Sequence, residues 1–307
     1  MVILIIGLGS IAFKHINAIH SIEPDARIIA LRSSRNAKSL DGVQDIYHLD
    51  DLQENPDFVL ISNPTMMHSK TILDVCDLGV PLFIEKPPLH SLDTANEILK
   101  SIKVNNIQTY VAYNLRFHPC IEFLKNFLET KFSDLNEVNV YCGSYLPEWR
   151  SNLDYRQIYS AHKNLGGGVH LDLIHELDYI YWLFGNPVNY QGRISKKSNL
   201  EIDSSDFAQY LLEYEGFFVN CTLNYYRKDP KRNIELVFEG FTLSVDLIKC
   251  RIFHSDKGLI FKEFDYSILN TYEKQMKYFM QTMVKKQRFI NDLEDSLTVI
   301  KIALNQH

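Results

Sequence analysis

Lys86 stands in Glu85-Lys86-Pro87-Pro88, directly after the apolar run Leu82-Phe83-Ile84. A lysine at a strand end beside a carboxylate can donate a proton or hydrogen-bond a reacting hydroxyl or carbonyl. The prolines fix the backbone that follows. An exposed salt bridge is the other reading of this motif taken alone. A second constellation follows Gly166-Gly167-Gly168, where Asp172, His175 and Asp178 succeed one another in steps of three. On one helix that spacing gives a shared face, so His175 gains two carboxylates able to orient it. Its ordinary pKa lies near working pH, which suits a general base. A histidine buried and satisfied between helix and sheet is the competing reading.

A third group binds rather than reacts. Gly7-Leu8-Gly9-Ser10-Ile11-Ala12 follows an N-terminal apolar strand and opens a helix. In this G-x-G-x-x-A order Gly7 makes the tight turn, Gly9 lets backbone approach a pyrophosphate, and Ala12 permits close helix–strand packing. The helix N-terminus, at Ser10 and Ile11, offers amides and partial positive charge to phosphates. The second strand ends Leu31-Arg32-Ser33-Ser34-Arg35, without the carboxylate that usually holds the adenosine ribose of NAD. Arg32, Ser33 and Arg35 suit a 2′-phosphate, which favours NADP over NAD. Solvated arginines, or arginines stacked on adenine, remain the alternative.

These residues need a scaffold, and the pattern supplies one. Short apolar runs at 2–6, 28–31, 58–62, 82–84 and 110–112 alternate with helical segments. Such alternation predicts an α/β, doubly wound parallel sheet of Rossmann type, covered on both faces, with ligands bound at the C-terminal strand edge. Beyond residue 118 the pattern changes. A helix from Pro119, a strand over 138–145 and a helix over 169–184 ending at Gly185 precede two Gly-turn hairpins, 207–214 with 217–225 and 234–238 with 242–247. This predicts an α+β domain with an open, mainly antiparallel sheet. The expected division is a dinucleotide domain over 1–118 and a substrate and oligomerisation domain over 119–307, with the terminal helices packing back on the first.

The chain has 307 residues, 46% hydrophobic and 23% charged, with net charge -6. That describes a globular protein able to bury two cores, with no basic surplus for nucleic acid. Its eleven histidines are scattered, so no metal is expected. Five widely spaced cysteines without a C-x-x-C pair read as reduced thiols of a cytoplasmic protein. The first apolar run stops at Gly7, too short for a signal peptide or membrane span.

With Asn63-Pro64-Thr65-x-x-His68 and Tyr113-Asn114-Leu115-Arg116-Phe117-His118-Pro119 added, five ordered motifs make the sequence resemble the Gfo/Idh/MocA family of glucose-fructose oxidoreductase and inositol dehydrogenase type. The resemblance implies that Lys86 acts near nicotinamide and substrate, and that Glu85 contacts the nicotinamide ribose. It implies that Asn63, Thr65 and His68 line the cofactor groove and that Asn114 sits beside the nicotinamide. Arg116, Phe117 and Pro119 are expected to pack at the domain junction.

The implied reaction passes a hydride between nicotinamide and a carbinol or carbonyl carbon. His175 serves as base, Lys86 lowers the hydroxyl's pKa, and Asp172 orients His175 or binds substrate. Many family members have four residues from the aspartate to the histidine, whereas here the step is three. The form GGG-x-x-x-D-x-x-H-E-x-D looks like a bacterial surface-carbohydrate subgroup, pointing to sugars, polyols or nucleotide sugars. In the preceding loop Trp149, Arg150, Tyr155, Arg156 and Tyr159 offer aromatics for a sugar face and cations for a carboxylate or phosphate; ordinary loop packing explains the aromatics equally well. Strand aromatics Phe207, Tyr210, Phe218 and Tyr225 suggest a sheet capped by a second copy in a homodimer or homotetramer, with packing inside the chain as the alternative. Two rivals stand: a non-catalytic dinucleotide-binding sensor, and a sugar–sugar oxidoreductase with tightly held cofactor.

Overall fold

The computed structural model of the chain describes residues 1–36 and 38–306. The first part runs β1 (Val2–Ile6), α1 (Ser10–Ile22), β2 (Arg27–Leu31), β3 (Val43–Ile46), β4 (Phe58–Ile61), α2 (His68–Val75), β5 (Leu82–Ile84), α3 (Ala95–Val104) and β6 (Thr109–Val111). The next part holds α4 (Pro119–Lys131), β7 (Leu135–Gly143), α5 (Val169–Asp172), α6 (His175–Phe184), β8 (Asn189–Ser195), β9 (Phe207–Tyr214), β10 (Phe217–Asn224), β11 (Lys231–Phe238), β12 (Thr242–Asp246), β13 (Arg251–His254) and β14 (Leu259–Glu263). Two helices, α7 (Ile268–Val284) and α8 (Leu293–Leu304), close the chain. It divides into two compact units, Met1–Asn114 with Ile268–Thr298, and Leu115–Ser267 with the residues from Val299 on.

In the first unit six parallel strands lie in the order β3-β2-β1-β4-β5-β6. Every residue of β4 and β5 is buried, as a sheet covered on both faces requires. The order reverses between β1 and β4, so the cleft beyond their C-terminal ends is the switch point where such sheets bind ligands. Part of the cover comes from late in the sequence. Met276, Phe279 and Met280 of α7 pack into the core with Ile3, Ile5, Phe58 and Phe83, and Phe279 meets Phe58 and Phe83 edge-on. No apolar run marks β3 in the sequence, because Val43-Gln44-Asp45-Ile46 buries only Ile46.

In the second unit eight strands lie in the order β14-β13-β12-β11-β7-β10-β9-β8. All neighbours are antiparallel except β7 and β10, which are parallel. Burial alternates along β9, with Ala208, Tyr210, Leu212 and Tyr214 inside and Gln209, Leu211 and Glu213 outside. One face therefore packs inward while the other meets solvent. That corrects the expectation for Tyr210 and Tyr225, which are fully buried on the inner side; the Tyr210 hydroxyl donates to the Ala303 carbonyl at 2.7 Å. Phe218 does face outward, 46% exposed.

The single helix expected over 169–184 is broken. Leu173, at φ -97° and ψ 29°, ends α5, and α6 starts at His175. Asp172 and His175 thus lie on two successive helices and not on one continuous face. The five cysteines are buried free thiols. No helix among the described residues is long and apolar enough to cross a membrane.

Candidate functional site

The glycine turn after β1 is sterically demanded. Gly7 has φ +94°, and a Cβ there would stand 2.3 Å from the Asn63 amide nitrogen. Ser62 Oγ donates to the Gly7 carbonyl at 2.7 Å, tying the β1 turn to the end of β4. At Gly9, the N-cap of α1, a Cβ would meet no protein atom within 4 Å. No protein atom therefore crowds that side of Gly9, which leaves room for close approach to the helix start, where a pyrophosphate would bind. Asn63 Nδ2 donates to Thr71 Oγ1 at 2.7 Å, while its buried Oδ1 has no partner among the described residues. Such an acceptor suits a ribose hydroxyl or carboxamide, so the residues present fit a dinucleotide. Thr65 is half-buried on the short turn that leads into α2.

His68, expected in the cofactor groove, is instead 1% exposed. Its Nε2 faces the Asn63 carbonyl at 2.9 Å and its Nδ1 the Pro87 carbonyl at 3.1 Å. Burial lowers its pKa. It is a brace between the β4 and β5 loops, its neutral ring donating to one of these carbonyls, and sequence spacing could not show that both ring nitrogens face the protein. Asn114 is similarly occupied: Nδ2 donates to Thr271 Oγ1 on α7 at 2.7 Å.

Glu85 directly follows β5 and is 8% exposed. Its Oε1 lies 2.5 Å from Nε2 of fully buried His15 on α1, and its Oε2 accepts from the Lys86 amide at 3.1 Å. His15 thus connects α1 to the Glu85-Lys86-Pro87 strand end, fixing the backbone from which half-buried Lys86 projects. The Lys86–Pro87 peptide bond is cis. Past β2, Arg32 pairs with Asp45 at 2.8 Å, exposed Ser33 follows, and Arg35 stacks on Tyr47.

In the second unit Asp172 is 4% exposed and held by two phenols. Tyr159 donates to Oδ1 at 2.6 Å and Tyr225 to Oδ2 at 2.5 Å. Burial first, and the charge of Asp172 next, push both phenols well above their ordinary pKa, so they remain protonated donors. The triple glycine makes this possible. A Cβ on Gly167 would sit 2.2 Å from the Tyr159 carbonyl oxygen, so only glycine lets this segment pack against the loop that carries Tyr159. From the sequence Tyr159 is expected to offer a sugar face and Tyr225 to be a strand aromatic; their adjacency to Asp172 has no local signal, since they lie 13 and 53 residues away.

Replacing Tyr225 with Phe removes one donor from a buried carboxylate, and hydrogen bonds to charged groups contribute about 1.5–3 kcal/mol. Urea unfolding of Tyr225→Phe is expected to show a loss of that order. The same change in an Asp172→Asn background is expected to cost much less; equal losses in both backgrounds would mean the bond is not what Tyr225 contributes.

Asp178 does not orient His175 as the spacing suggested. Both of its oxygens accept from Arg116, with Nε at 3.2 and 3.0 Å and Nη2 at 2.6 Å. Glu176, fully buried, pairs with Arg232 at 2.6 Å. Two residues that follow half-buried His175 in the first turn of α6, Glu176 and Asp178, are thus anchored by arginines from other elements. His170, near the same glycines, is pulled down to about 4 by burial. In the preceding loop Arg156 is neutralised by Asp154 at 2.8 Å and Glu201 at 3.0 Å, and the Tyr155 hydroxyl accepts from the Glu201 amide at 3.2 Å. Arg150 is exposed and has no carboxylate partner among the described residues.

His118, Cys120 and Cys250 converge within 4.8 Å of one another. His118 Nδ1 accepts from the Cys120 amide at 3.2 Å, which leaves the proton on Nε2, facing the Leu247 carbonyl at 3.1 Å. This is a hydrogen-bonded helix cap of α4 and not a lone pair aimed at a cation.

Residues 1–113 match the Gfo/Idh/MocA model described as an oxidoreductase family with NAD-binding Rossmann fold, and residues 129–244 match the Gfo/Idh/MocA C-terminal domain. The scyllo-inositol 2-dehydrogenase (NAD(+)) of Bacillus subtilis is 24% identical over 213 residues, 64% of this chain and 58% of the relative. Across the first curated relatives matched, the chain spans between 34% and 58% of their length.

Two solved structures share the fold. An oxidoreductase from Agrobacterium radiobacter, in complex with NAD+, L-tartaric acid and magnesium, superposes with TM-score 0.84 at 19% identity, covering 100% of this chain and 95% of its own. The WlbA dehydrogenase from Bordetella pertussis, in complex with NADH and UDP-GlcNAcA, gives 0.80 at 16%, covering 98% and 94%. With a dinucleotide-type turn, a fixed Glu85-Lys86-Pro87 strand end and both domain matches in order on one chain, the protein belongs to the Gfo/Idh/MocA oxidoreductase family.

Proposed function

We propose that the protein is an NAD(P)-dependent oxidoreductase of carbohydrate biosynthesis, acting on a carbinol or carbonyl carbon of a sugar, polyol or nucleotide sugar, with NADP favoured over NAD. The observation that carries this reading lies in the first unit. Lys86 leaves β5 on the same sheet edge as the Gly7–Gly9 turn of β1, with its backbone fixed through Glu85 and His15. A bound nicotinamide supplies the two-electron acceptor or donor.

The chain's own groups manage the proton. In the first unit Lys86 hydrogen-bonds the reacting oxygen and lowers the hydroxyl's pKa; in the second unit the group with the basicity of a proton acceptor is His175. Asp172, fixed by Tyr159 and Tyr225, binds substrate hydroxyls or steadies the charge on His175. An anionic substituent, carboxylate or phosphate, meets Arg150, because Arg156 is already neutralised. The UDP sugar bound by WlbA makes nucleotide sugars the first class to test. Five reduced thiols fit a cytoplasmic location. A homodimer or homotetramer would cover the outer sheet face, where Leu211 and Phe218 are 43% and 46% exposed.

A panel of polyols, sugars and nucleotide sugars, offered with NAD and with NADP and followed by nicotinamide absorbance, tests the proposal. Substrate-dependent reduction of either cofactor is expected. Tight dinucleotide binding without turnover across the panel would favour a sensor instead.

A further inference from the structure

The two arginines after β2 have different surroundings. Arg32 Nη1 pairs with Asp45 Oδ1 at 2.8 Å, with side chains only 8% and 11% exposed. Its Nη2 donates to the Lys38 carbonyl at 3.2 Å, and Asp45 Oδ2 accepts from Ser39 Oγ at 3.0 Å. A partly buried guanidinium paired in this way must surrender its carboxylate before it can meet a phosphate, and that leaves a buried charge behind. Asp45 comes from β3, where it lies opposite Ala30 of β2. The carboxylate absent from the end of β2 is thus supplied by its neighbour, where it is already occupied.

Arg35 is exposed, and its guanidinium lies 4.5 Å from the centroid of the Tyr47 ring. An aromatic face beneath a guanidinium steadies it electrostatically and leaves its planar fork of N–H donors, the group that recognises phosphate, available for an anion. Asp51 is near enough to feel the Arg35 charge, but its Oδ2 accepts from the Tyr47 and His48 amides. Ser34 Oγ accepts from the Asn36 amide at 3.2 Å, shaping the turn between the two arginines and Tyr47.

We infer that Arg35, stacked on Tyr47, distinguishes a 2′-phosphorylated dinucleotide from an unphosphorylated one, and that Asp45 withholds Arg32 from that contact. The inference rests on the dinucleotide-binding reading proposed above. It divides labour between two arginines that the sequence presents as equivalent. It also makes Asp45 a brake on NADP affinity, so that losing a carboxylate strengthens binding of an anion.

Calorimetric titration of the full chain with NADPH and with NADH, without substrate, tests it. The unaltered protein is expected to bind NADPH more tightly. Arg35→Ala should weaken NADPH about 10- to 100-fold, as loss of a charge-assisted contact does, and leave NADH within about twofold. Tyr47→Ala should move NADPH in the same direction by less, and Asp45→Asn should tighten NADPH several-fold with NADH little changed. Equal weakening of both nucleotides by Arg35→Ala, or of neither, overturns the role of Arg35. Unchanged NADPH affinity in Asp45→Asn overturns the role of Asp45. If the unaltered protein binds both nucleotides equally, selectivity fails while dinucleotide binding stands; if it binds neither, the proposed function fails as well. Arg35 is exposed, so an unaltered melting temperature confirms that Arg35→Ala is folded.

Discussion

Lys86→Met is expected to lower turnover by at least about 10²- to 10⁴-fold, the range attributed to a positioned acid–base group, while affinity for the dinucleotide stays within a few-fold. Methionine keeps the length and apolar stem of lysine and removes only the ammonium, so β5 loses no packing. The Glu85 side chain remains held by His15, and the hydrogen bond from residue 86 to Glu85 Oε2 comes from the backbone, which the substitution leaves in place. Turnover with the substrate found in the panel, alongside NADPH and NADH titrations, separates chemistry from binding. Near-normal turnover would remove Lys86 from the reaction. A joint loss of turnover and dinucleotide binding would mean the ammonium serves the cofactor.

Arg116 carries the largest expected effect on stability. It is 2% exposed, makes three hydrogen bonds to the fully buried Asp178, and places its guanidinium 5.8 Å from the Trp182 ring. Arg116→Met removes the cation and strands a carboxylate in the interior, at a cost of about 3–5 kcal/mol. Against a usual total of about 5–15 kcal/mol, that is a large share of one domain's stability. Urea unfolding should show it. Adding Asp178→Leu is expected to restore much of the loss, because the stranded charge is gone and an apolar pair of similar volume fills the space. A single-variant loss below about 1 kcal/mol, or no recovery in the double variant, would show that the pair is not a buried interdependent unit. Asp178 belongs to the same short helix as His175, so turnover of the single variant is expected to fall along with stability.

Features written in adjacent residues were legible from the sequence. Gly7-Leu8-Gly9 after a five-residue apolar strand specifies a strand, a left-handed turn and a helix start within one stretch of chain. Glu85-Lys86-Pro87 ends its strand as the pattern indicated. The hairpin at Glu215-Gly216 forms because Gly216, at φ +91°, takes a conformation that costs most other residues energy. Pro119 opens α4 as a proline at a first helical position should, with His118 as its cap.

Only the tertiary structure decided which charges and hydroxyls meet. Asp172 and His175 share a spacing that fits one helix, yet the chain breaks at Leu173, and Asp172 accepts hydrogen bonds from Tyr159 and Tyr225, 13 and 53 residues away. Asp178 turns to Arg116, 62 residues away, and not to the histidine three residues before it. Arg32 and Arg35 look alike in sequence, but β3 places Asp45 beside the first alone. The α7 helix, far along the chain, completes the core of the first unit. Periodicity and turn chemistry act over a few residues and are written where they act. Pairing of buried polar groups is set by the strand order and helix packing that bring distant residues together, and no local pattern encodes it.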